Sequence, residues 1–116
     1  MSTITVYHKP TCSTCRQAVQ ILKEEGAAFA AVDYYHTPLT PAQLKDLLDT
    51  AGLSPREILR TKEETYRTLK LGEKTLSDDD LIALMVKHPD LIQRPLVRKG
   101  DRVILARPAE RVKELL

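Results

Sequence analysis

The chain has 116 residues, the size of one ordinary domain, and its 42% hydrophobic and 29% charged residues can build one core and exclude a disordered chain. A net charge of +2, from 18 basic and 16 acidic residues, excludes the broad electrostatic footprint of a nucleic-acid or acidic-membrane binder. Aromatic residues are few (Tyr7, Tyr34, Tyr35, Tyr66 and Phe29, with no Trp), so the core must come mainly from Leu, Ile, Val and Ala.

Met1 to Tyr7 reads as one short strand rather than a leader, because no basic region precedes a long apolar run. Its β-branched and aromatic stretch, Thr3 to Tyr7, ends at His8-Lys9-Pro10, where proline removes a ladder donor. A helix is expected to begin at Cys12 or Ser13, with Ala18, Val19, Ile21 and Leu22 as its apolar stripe and Gly26 in the capping position. Ala28 to Tyr35 reads as a second strand and Thr37 to Pro41 as a turn. Thr40 then caps a helix with Pro41 at its first position and Gln43 as the reciprocal partner; Leu44, Leu47 and Leu48 line it and Gly52 stops it. Strand, helix and strand in this order imply parallel pairing through a right-handed crossover.

Residues 54–92 change character, with short helical patterns and no convincing strand. One begins at Ser54-Pro55-Arg56-Glu57, another covers Lys62 to Leu69, and a third is capped by Ser77 and broken at His88-Pro89. The chain returns to strands in Pro95 to Arg98 and Arg102 to Leu105, a hairpin around Lys99-Gly100-Asp101. Pro108 to Leu116 reads as a closing helix with Val112, Leu115 and Leu116 on one side. With no repeat or linker, residues 1–116 are expected to form a single α/β domain. No stretch is long enough to span a membrane, so a cytosolic protein with reduced thiols is expected.

Cys12 and Cys15 stand at the expected strand-to-helix junction. Amide N–H groups at a helix start stabilise an anion, so a thiol there has a depressed pKa, and the thiolate is the nucleophile. Cys15 lies about one helical turn away, in phase with the apolar stripe, so it should be the more buried and less acidic thiol. Cys12 is then the attacking thiol and Cys15 a candidate resolving thiol. His8, Lys9 and Arg16 are close in sequence and could add positive potential, although solvated side chains are the plainer expectation for Lys9. Zinc would need a second ligand pair, and His8, His36 and His88 have no ligand spacing, so no metal is expected. Two inert buried cysteines remain an alternative at this point.

Four segments together carry a resemblance. Tyr7-His8-Lys9-Pro10-Thr11-Cys12, Arg60 within Ile58 to Lys62, His88 to Val97 with its Gln93-Arg94-Pro95, and Arg107-Pro108 resemble, in order, the motifs of the glutaredoxin-coupled arsenate reductase family. The resemblance implies a thioredoxin-like fold with a mixed four-stranded sheet, ordered β-α-β, helical insertion, β-β-α. It implies that Cys12 is the nucleophile, that His8 helps keep its thiol ionised, and that Pro95 is a cis-proline facing it. It further implies that Arg60, Arg94 and Arg107 bind the oxyanion, arsenate or a similar one. Guanidinium forks suit such an ion because they offer paired, charge-assisted donors and cannot be deprotonated. The implied reductants are glutathione, glutaredoxin or thioredoxin, with no bound cofactor.

The second cysteine widens the reading. Many glutathione-dependent members have no thiol at the position of Cys15, and Lys9 stands where Asn is common. A CxxC pair resembles the sister branch of Spx-type transcription regulators, which use it as a redox switch while binding RNA polymerase; these generally lack the last arginine, which Arg107 supplies here. A third branch resembles glutathione-dependent thiol reductases of other substrates.

Overall fold

Alternation of buried and half-buried residues along Ile4–His8 fits a strand with one face on a core, and this strand, β1, is central in a four-stranded sheet. The computed structural model describes residues 3–73 and 75–116. Met1 and Ser2, included in the expected first strand, and Lys74, within the expected helical block, lie outside the described residues. The chain divides into two compact units: one holds the residues up to Thr37 together with Arg94–Leu116, and the other is Pro38–Gln93.

In the first unit the sheet order is β2-β1-β3-β4, with β2 at Phe29–Asp33, β3 at Leu96–Lys99 and β4 at Arg102–Leu105. Strand β1 pairs in parallel with β2, Ile4 opposite Phe29 and His8 opposite Asp33. It pairs antiparallel with β3, Tyr7 opposite Leu96, and β3 pairs antiparallel with β4. Helix α1, Ser13–Glu24, supplies the crossover and ends as expected, with Gly26 at φ +68 where a β-carbon would be strained. The core joins Ile4, Val6, Leu22, Val97, Ile104, Ala106, Val112 and Leu115, with Val19, Ile21, Ala27 and Phe29 packed against it.

Two expectations need correction. The second strand stops at Asp33 rather than Tyr35, because the Asp33 carboxylate accepts the Tyr35 N–H at 3.0 Å and its carbonyl accepts the N–H groups of His36 and Thr37. Asp has the short acceptor that turns the chain in this way. The closing segment is a 3-10 helix, Ala109–Leu115, rather than a regular α-helix. Its buried residues are Ala109, Val112 and Leu115, spaced by three, which is the 3-10 period; Leu116 is 49% exposed.

The second unit is helical. Helix α2, Pro41–Ala51, has the expected capping box between Thr40 and Gln43 and stops at Gly52 in the left-handed region. A short 3-10 helix follows at Pro55–Ile58, then α3 at Glu64–Thr68, a 3-10 turn at Leu71–Glu73, α4 at Asp78–Lys87 and a 3-10 turn at Pro89–Leu91. Leu44, Leu47 and Leu48 of α2 and Leu81, Ile82 and Met85 of α4 are buried where these helices pack. Ile58, Leu91 and Ile92 are buried with them. Leu59 and Ile92 form an isolated antiparallel bridge, flanked by Arg60 N–H to Leu91 O and Gln93 N–H to Ile58 O, both at 2.8 Å. That bridge fixes the backbone at Arg60.

Candidate active site

Cys12 is the N-cap of α1. The turn before it closes with Cys12 N–H donating to Lys9 O at 2.9 Å, and its own carbonyl accepts Arg16 N–H at 3.0 Å. Pro10 and the following turn thereby set the thiol at the exposed end of the helix, half-buried, while Cys15 on the next turn is fully buried beside Ala18 and Leu22. Both cysteines are free thiols.

Their acidities diverge. Burial disfavours the Cys12 thiolate, but the Cys15 amide, the Cys15 thiol, the Arg94 guanidinium and the Thr14 amide outweigh it, and the pKa is lowered from the ordinary 9.0. The Cys12 side chain makes no regular capping hydrogen bond, so the contribution of the two amides is that of oriented dipoles at the helix start. Burial pushes Cys15 up to about 12, with the Cys12 sulfur adding to the rise. Cys15 is therefore protonated at neutral pH and donates toward Cys12.

Arg94 comes from the far end of the sequence, immediately before β3, and is the described charged residue most withdrawn from water, at 5% exposure. Its Nη1 donates to the hydroxyls of Tyr34 at 3.2 Å and Tyr35 at 3.1 Å. Its Nε is buried and has no partner. The Arg94–Pro95 and Arg107–Pro108 peptides are cis, and Pro95 O accepts the N–H of Ala106 at 3.0 Å. Arg107 is exposed and its Nη1 donates to the Arg94 carbonyl at 3.0 Å. Lys9 Nζ lies 4.9 Å from the Tyr35 ring centroid.

Cys12, Cys15, Arg94 and Arg107 thus gather in the first unit, at the end of β1 where the strand runs into α1. His8 is the last residue of β1, opposite Asp33; burial lowers its pKa against the attraction of Asp33, so it is mostly neutral at pH 7 and adds little positive charge. Arg60 belongs to the second unit, where its Nη2 pairs with Glu63 Oε1 at 2.9 Å. Tyr34 and Tyr35 were not singled out by the sequence, which assigned both to a strand. The available signal was their rarity: two of only five aromatic residues stand together at the end of a strand. Among the described residues no group of His, Cys, Asp and Glu side chains could hold a metal ion.

An ionisable thiol at the start of the crossover helix with a buried arginine beside it, and a cis-proline leading into an antiparallel hairpin, define a thiol-based site on a thioredoxin-like fold. The match to the ArsC family extends over residues 7–115, and the chain belongs to that family. It is 40% identical to the Escherichia coli K12 protein YfgD over 97% of this chain and 96% of that one. It is 40% identical to an arsenate reductase of Yersinia enterocolitica, over its whole length and 82% of the relative. Its fold superposes on the solved structure of an arsenate reductase from Vibrio cholerae with a TM-score of 0.93 and 39% identity, covering 99% of this chain and 98% of that one. No described helix is long and apolar enough to cross a membrane.

Proposed function

We propose that the protein is an oxidoreductase that reduces arsenate or a similar tetrahedral oxyanion, with Cys12 as the nucleophile. The observation that carries this is the acid shift of the Cys12 thiol against its own burial, produced by the helix start, Cys15 and Arg94. Kinship with arsenate reductases supports the substrate class.

In the first step the Cys12 thiolate attacks arsenic(V); a sulfur–arsenic bond forms and a protonated oxygen leaves as water. Arg94 and Arg107 donate to the remaining oxygens, and Arg60 is assigned the same part on the strength of its motif. A second thiol then attacks Cys12 Sγ. The new sulfur–sulfur bond displaces arsenic, which keeps the electron pair and departs as arsenite, while the two sulfurs are oxidised to a disulfide. That thiol is Cys15 or a glutathione; the burial of Cys15 and its pKa of about 12 favour the incoming thiol, since attack needs a thiolate. Glutaredoxin or thioredoxin would reduce the product disulfide.

Arsenate reduction should be assayed with glutathione plus glutaredoxin and, separately, with thioredoxin. Turnover in either system that disappears in Cys12→Ser supports the reading. No turnover above the Cys12→Ser control in both systems would sink it.

A further inference from the structure

A guanidinium as buried as Arg94 normally needs a carboxylate, because a cation withdrawn from water must regain its lost hydration. Among the described residues, no carboxylate pairs with it. Two phenols stand there instead: Nη1 places one hydrogen on Tyr34 Oη at 3.2 Å and the other on Tyr35 Oη at 3.1 Å, which saturates that nitrogen. Tyr34 is 3% exposed, and the two rings support each other with centroids 5.2 Å apart. The turn at Asp33 locks them in place through the 3.0 Å bond from Tyr35 N–H. The Tyr35 ring is also in cation–π range of two cations, Lys9 Nζ at 4.9 Å and Arg94 Cζ at 5.9 Å from its centroid. The unpartnered Nε shows that the guanidinium is held with part of its donor capacity unused.

The chemical distinction lies in charge. A carboxylate would hold the fork equally well but would cancel its charge beside Cys12 and repel an incoming anion. Two neutral phenols fix the geometry and leave the full positive charge in place. We propose that Tyr34 and Tyr35 are positioning residues that hold Arg94 as an uncompensated cation facing the Cys12 sulfur and any oxyanion bound beside it. The part of this that concerns the oxyanion rests on the function proposed above; the part that concerns Cys12 does not.

The test is the pH profile of Cys12 alkylation by iodoacetamide in the full-length protein, in Tyr34→Phe and Tyr35→Phe, each also in an Arg94→Lys background. Loss of a phenol should move the profile to higher pH, with the rate below the midpoint falling about threefold for a half-unit shift. In the Arg94→Lys background the same substitution should add nothing, because the phenols act through Arg94. A purely structural tyrosine would lower the unfolding midpoint and leave the profile unmoved. Tyr35 is only half-buried, so Tyr35→Phe keeps the experiment decisive should Tyr34→Phe fold poorly. An unmoved profile in the folded variants, or an equal shift with and without Arg94, overturns the proposal. A shift seen in a protein that does not reduce arsenate would overturn the proposed function and leave this inference standing.

Discussion

Cys12 and Cys15 are one helical turn apart, yet their acidities move in opposite directions because one caps the helix and the other enters its buried stripe. Iodoacetamide at neutral pH should therefore label Cys12 and leave Cys15 unmodified in the folded protein, as read by peptide mass mapping. Replacing the buried donor, Cys15→Ala, should move the Cys12 alkylation profile to higher pH. The same shift has a thermodynamic face. A thiol whose folded pKa is depressed contributes stability that is present above its unfolded pKa and is lost as pH falls through the folded value. The stability gap between the wild type and Cys12→Ser should thus be largest above pH 9.0 and shrink on acidification, measured by denaturant titration across pH. At this scale the sequence disclosed the thiols and their inequality, since helix phase alone separates them. It could not disclose the tyrosine bracket, which depends on a turn made by one Asp side chain and on a residue some sixty positions away.

Each element follows from short-range chemistry where that chemistry is strong. The Thr40–Gln43 capping box, Pro41 at the first helical position and Gly52 at the stop were all legible, and all are present in α2. Thr40→Ala should cost about 1 kcal/mol of stability by denaturant titration, through the loss of one N–H partner at the helix start. In the core, Leu22→Ala should cost about 2–5 kcal/mol, since Leu22 has no exposed surface and its loss leaves a cavity between α1 and the sheet. The closing helix was misread because apolar residues spaced by three fit both helix types over so short a span; burial of Ala109 in place of Leu116 decides for the tighter one. The turn at Asp33 was misread because β-propensity continues through Tyr34 and Tyr35 while the turn signal sits in a single side chain.

On the scale of the whole molecule, β-α-β at the start and β-β-α-like structure at the end share one sheet, although the helical unit separates them in sequence. Their order was readable from hydrophobic pattern and turns, but the pairing of β1 with β3 was not, because periodicity carries no information about distant partners. Mass spectrometry after a single arsenate turnover with glutathione should show glutathione on Cys12; a Cys12–Cys15 disulfide alone would assign the resolving role to Cys15 instead.

The first unit is stitched from both ends of the chain, with Cys12 on one end and Arg94 on the other. Until those ends meet, Cys12 lacks the guanidinium that helps to lower its pKa, and only the contributions from its own helix start are within reach. The share of thiol acidity that Arg94 supplies is thus a property of the assembled sheet, gained only when the last strands dock beside the first.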